Sequence, residues 1–215
     1  MSNQYHLEEF NRQVATLLEK EYHDMAGLSE EEFIIHVEPL KQLIEKHTFT
    51  YNEPEEGYFP FVIVIKSELV TADQTIQRVV RKKKQGFSVM EADDIEKFKP
   101  IENLVLPEGM AYLLLDIDTG KETRNITPNA ALQSIMEANK SPLTIDEGIA
   151  VITHFPDTMQ KNNCFYLLGS RCGDKRVTAL WLSTGKPKLG WCWAGNPHTW
   201  LGSASCGSRV GGLPE

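Results

Sequence analysis

The side chains most often used for chemistry crowd into the last quarter of this 215-residue chain. All four cysteines (Cys164, Cys172, Cys192, Cys206), all four tryptophans (Trp181, Trp191, Trp193, Trp200) and nine of the fifteen glycines follow residue 163. The stretch from Leu189 to Cys206 gathers indoles, glycines and small polar residues and is nearly uncharged. As a solvated loop it would leave several indoles in water. It is therefore expected to line a pocket, cover a sheet or present an interface.

Four readings of that stretch compete. In the first it only packs: strand alternation sets Trp191 and Trp193 on one face and Cys192 on the other, and buried Trp and Cys commonly serve as core. Asn196-Pro197 is then an ordinary turn. The second is a small-molecule site. Trp191, Trp193 and Trp200 would supply flat walls, and Asn196, His198, Thr199 and Ser203 directed hydrogen bonds. Arg171, with Lys175 and Arg176, would suit a carboxylate or phosphate on the ligand. The third is a hydrolase or transferase with Cys192 as nucleophile and His198 as base, completed by Asp116, Asp118 or His154. No nucleophile elbow or other local signature accompanies that pair. The fourth is zinc on some of Cys164, Cys172, Cys192, Cys206 and His198, but the closely spaced cysteine pair of structural zinc sites is missing, so no metal ligands or cofactor are assigned. Of the functional readings the small-molecule pocket is preferred.

Two weaker signals lie outside this quarter. Asp116 and Asp118, two apart on a strand, face one side and could hold Mg²⁺, although Asp at a strand end more often bonds the following turn. The run Arg81-Lys82-Lys83-Lys84 reads first as a solvated helix end favoured by the helix dipole. Its alternative is an interaction module for RNA, the ribosome or another protein.

Charge narrows the partners. A net −8 argues against a general nucleic-acid binder. The balance is uneven, however: residues 164–215 carry +4 and the rest −12. No apolar run reaches bilayer-spanning length and the N-terminus lacks a secretory signal, so a cytoplasmic protein with reduced thiols and no membrane role is expected.

The elements that must position these side chains read as α+β. Leu7, Phe10, Val14, Leu17 and Leu18 recur at helical spacing. Capping boxes at Ser29/Glu32, Thr71/Gln74 and Thr144/Glu147, and the Thr127-Pro128 pair, open further helices. The helix from Thr71 is expected to hold Val79 and Val80 and to end in the basic run, and a turn of helix is placed around Asp93 to Phe98. Residues 58–65 and 111–118 are buried strands. Residues 165–168, 177–182 and 188–193 form a meander of two hairpins. The expectation is a single α+β domain over residues 1–215: a helical layer (1–48), a mixed middle (58–163) and a β-rich Trp/Cys/Gly end (164–215).

The blocks Phe165-Tyr-Leu-Leu-Gly-Ser-Arg-Cys-Gly-Asp-Lys-Arg176, Pro187 to Cys206 and Pro142-Leu-Thr-Ile-Asp-Glu-Gly148 resemble an uncharacterised bacterial family of the domain-of-unknown-function kind, associated with actinomycetes and spore-forming soil bacteria. The resemblance spans nearly the whole chain. It implies a bacterial, cytosolic protein and brings no reaction, cofactor or catalytic residue.

Overall fold

The structure, a computed structural model, describes residues 2–49 and 53–212. Tyr51 and Asn52, the start of a loop expected to reach Gly57, fall outside the described residues.

The chain opens with α1 (Ser2–Glu19), α2 (Tyr22–Met25), α3 (Glu30–Val37) and α4 (Leu40–Lys46). Then come β1 (Tyr58–Ile65), α5 (Ala72–Arg78), β2 (Val80–Arg81), β3 (Lys84–Gln85), β4 (Phe87–Ser88), α6 (Ala92–Ile95), β5 (Lys99–Pro100) and β6 (Ala111–Asp118). The second half holds α7 (Pro128–Glu137), β7 (Ser141–Pro142), α8 (Ile145–His154), β8 (Cys164–Leu167), β9 (Ser170–Arg171), β10 (Arg176–Ser183) and β11 (Lys186–Trp193). It ends with β12 (Leu201–Ser203), β13 (Ser205–Cys206) and β14 (Ser208–Gly211). Helices dominate the start and antiparallel strands the end, an α+β arrangement.

Two sheets and two helical layers stack. In the first sheet, ordered β1-β6-β13-β7 with β14 also on β6, Phe61, Ile63 and Ile65 face α1, α3 and α4. Val62, Val64, Tyr112 and Leu114 face the other way, into the main core. Burial on both faces explains why residues 59–65 read as one unbroken apolar run. The second sheet runs β12-β8-β10-β11-β4. Helix α8 fills the space between the sheets, with nine of its ten residues buried. Its middle, Gly148 to Ile152, has no polar side chain on any side and so belongs inside. Gly148 makes its approach possible, since a Cβ there would stand 2.2 Å from the Leu167 side chain.

The three capping boxes and the Thr127 cap form as the sequence predicts. Pro39 precedes a separate helix, and Asp118 bonds its own turn, accepting from Gly120 N at 2.7 Å. Asp116 departs from plain alternation: its φ is 52°, where Gly207 N bonds both Leu115 O and Asp116 O and splits β13 from β14. One expectation is corrected. The basic run does not end a helix: α5 stops at Arg78, and residues 80–85 form a β-hairpin turning at Lys82 and Lys83. Two β-branched residues, Val79 and Val80, favour that exit, and Gly86 N closes it on Val79 O at 2.8 Å. The C-terminal meander of β8, β10 and β11 is present, with β12 and β4 added in parallel at its edges.

Candidate functional site

Strand register divides the side chains expected to share a pocket. Trp191 and Trp193 sit on the face of β11 that also carries Leu189, meet edge to face at 4.9 Å, and are 37% and 48% exposed. Cys192 is on the opposite face with Tyr166 and Trp181. Around Tyr166 the loop after β11 folds back. The phenol donates to Asn196 O at 3.2 Å and makes a short hydrogen bond with His198 Nδ1, and His198 meets the Trp200 ring at 5.2 Å. That loop is pinned by Asn125 N to His198 O (2.9 Å) and Asn129 N to Ala194 O (3.2 Å).

Cys192 and His198 are thus on one face, near a common tyrosine. Burial pushes the Cys192 thiol up to about 11, against an opposing pull from Lys188. That is the reverse of what a nucleophilic thiolate needs. Burial likewise holds Cys164 near 11 and Cys206 near 12. Among the described residues, no group of three or more His, Cys, Asp or Glu is arranged to hold a metal ion. Arg176 is occupied by Asp94 (2.7 Å) and Asp174 (2.8 Å) and lies over Trp191 and Phe98. Arg171 donates to Asp174 O at 3.3 Å.

A cleft of about 280 Å³ opens elsewhere, and none of the residues expected to bind a ligand lines it. Three helices start at its walls: α5 at Ala72, α6 at Ala92 and α8 at Ile145. Their caps explain the local geometry. Thr71 and Gln74 close one capping box, Thr144 and Glu147 another, and Ser170 Oγ accepts from Ile145 N at 3.0 Å. Ala72, Ile95, Phe98, Leu106 and Ile145 give apolar walls. The titratable lining is Glu68, Asp73, Glu96 and Asp146 against Lys99, four carboxylates to one ammonium.

Asp146 is the innermost of these, since it also borders a small internal void beside Leu17, Tyr22 and Ile149. Burial raises its carboxyl to about 6. Hydrogen bonds from Ser67, including its backbone N at 3.2 Å, oppose that rise, while Glu147 and Glu68 add to it. Behind it, Glu147 is fully buried and fully partnered. It accepts from Tyr112 Oη (2.8 Å), Thr144 N (2.7 Å) and Arg209, the last through Nε at 2.5 Å and Nη2 at 2.8 Å. Arg209 also donates to Ser141 Oγ (2.6 Å) and Pro142 O (2.9 Å), which fixes the start of α8.

The profile of a family of unknown function, DUF5701, matches residues 16–212. The chain belongs to that family. No curated protein matches the chain, and no solved structure matches it. Within the DUF5701 region, Thr144, Ile145, Asp146 and Ser170 line the cleft, and sequence reasoning passed over them as cleft residues. One signal was available. Asp146 and Glu147 open a helix whose next five residues, Gly148 to Ile152, carry no polar side chain, which marks its start as a place where carboxylates meet the core.

Proposed function

We propose that the protein binds a small molecule bearing a protonated amine or similar cation in the cleft at the start of α8. The observation that carries this reading is one space combining apolar walls with four carboxylates against one ammonium, Asp146 innermost. Small-molecule sites are mostly apolar concavities with a few directed polar groups, commonly about 300–1,000 Å³. At about 280 Å³ this cleft suits a metabolite-sized ligand. Asp146 would pair with the ligand cation, a charge-assisted contact strengthened by low surrounding dielectric. The apolar part would lie on Phe98, Ile95 and Leu106. The cleft is preferred to the expected anion site of Arg171 and the C-terminal tryptophans because Trp191 and Trp193 lie on the face of the sheet opposite Tyr166, the residue to which His198 bonds.

Thermal shift at pH 7.5 with primary amines, polyamines and guanidines, set beside carboxylic acids and sugar phosphates, tests the proposal. A cation present at 100 times its Kd should raise Tm by roughly 5–10 °C. Asp146→Asn should lose that response. A broad cation panel that leaves the native protein unmoved, or a response retained by Asp146→Asn, overturns the reading.

A further inference from the structure

We infer that the outer face of the second sheet, turned away from α8, is a docking surface for single-stranded nucleic acid. This rests on residues separate from the cleft. The pairs Trp181↔Lys188 and Ser183↔Lys186 put Trp181, Lys186 and Lys188 on that face. The Trp181 ring lies across Gly190, where a Cβ would come within 2.4 Å of it. Lys188 Nζ stands 4.8 Å from the centre of the Trp181 ring. Trp200 meets Trp181 edge-on at 6.3 Å and carries the row on to His198. A row of partly buried aromatic side chains, two of them packed against the main core, thus ends at a lysine.

At that same end two hairpin turns lie side by side. Lys84 Nζ donates to Thr184 O at 2.7 Å, joining the Lys82-Lys83 turn to the Thr184-Gly185 turn. Lys82, Lys83, Lys84 and Lys186 are exposed, and among the described residues no carboxylate forms an ion pair with any of them. Folding accounts for Lys84, which ties the two turns together, but not for Lys82, Lys83 or Lys186. Lys82 and Lys83 hold φ of 48° and 63°, a turn that Asn-Gly fills at lower cost. Their like charges also repel, in a chain whose net charge is −8. Aromatic faces edged by lysines match the needs of a single strand, whose bases stack while its phosphates follow the cations. A duplex hides its base faces, and an anionic bilayer has no flat rings to stack, so the indole row favours the single strand.

Fluorescence anisotropy of labelled oligo-U and oligo-dT of about 12 nucleotides, from 50 mM salt upward, is the test. Binding should occur with quenching of tryptophan emission, and log K should fall with log salt by about 0.7 per phosphate contacted. Lys82→Glu/Lys83→Glu should weaken binding at least tenfold and flatten that slope. Trp181→Ala should weaken binding with the slope kept, and Trp181→Phe, which keeps a ring on Gly190, should restore part of it. The inference fails if neither oligonucleotide binds at 50 mM salt, or if the lysine or Trp181→Ala variants bind like the native protein. It also fails if a duplex of equal length or phosphatidylserine vesicles bind as tightly as the single strand.

Discussion

Asp146 illustrates how one carboxyl can oppose the fold that holds it. Its pKa lies near 6 in the native state against an ordinary 3.8, so the native state binds the proton more tightly than the unfolded chain does. The resulting stability is complete below about pH 4 and is lost as pH rises through about 6. At pH 7.5 the ionised group costs on the order of 2 kcal/mol, from the size of the shift discounted for partial exposure. Asp146→Asn should therefore raise Tm by several degrees at pH 7.5, and the gain should vanish near pH 4. Calorimetric melts of both proteins across that range check it; a gain independent of pH would contradict the linkage. His154 behaves oppositely. Burial depresses it to about 3, although its hydrogen bond with Ile63 O (3.1 Å) pulls the other way, so its share of stability is full above about pH 6.5 and drains away in acid. At the residue scale the sequence was legible where neighbours on the chain decide the outcome, as in the caps and in Asp118 bonding Gly120. The cleft was not legible, because its lining comes from residues 67–73, 92–106, 144–146 and 170, which meet only through the fold.

Among the elements, α8 depends most on others. Its first turn is held from outside by Ser170 and by Arg209, a residue 62 positions further along the chain from Glu147. A buried ion pair adds little over well-packed apolar residues, but removing one partner strands the other in the core. Glu147→Gln or Arg209→Met alone should cost about 3–5 kcal/mol. The double replacement Glu147→Leu/Arg209→Met should recover at least half of whichever single loss is larger. Urea unfolding midpoints give both quantities, and additive losses would show that the pair is not coupled. Elements with strong local instructions were readable. The strands 58–65 and 111–118 and the helices behind Ser29, Thr71, Thr127 and Thr144 fall where periodicity and caps put them. The 80–85 hairpin was not, because nothing local forbids a helix from continuing through its lysines. Its shape is set by Gly86 closing on Val79 and by Lys84 reaching Thr184.

Across the whole molecule, class was readable from the order of patterns, helices first and antiparallel strands last. Topology was not. Nothing in the spacing of residues 201–211 tells that β12 joins one sheet while β13 and β14 return to the other. The switch is made at the Gly120/Gly202 crossing, where a Cβ on Gly120 would stand 2.2 Å from the backbone of Ser203 and one on Gly202 would stand 2.2 Å from the backbone of Gly120. The return of β13 and β14 has a consequence for how the molecule comes into being. Until residues 205–211 have left the ribosome, β6 lacks its inner neighbours and Glu147 has no cation, so a nascent chain that already carries both helical layers cannot close either. Folding is thereby deferred until these seven residues have emerged. A chain ended after Ser203 should show helical circular dichroism without a cooperative melt, whereas a sharp transition would mean that the earlier layers stand alone.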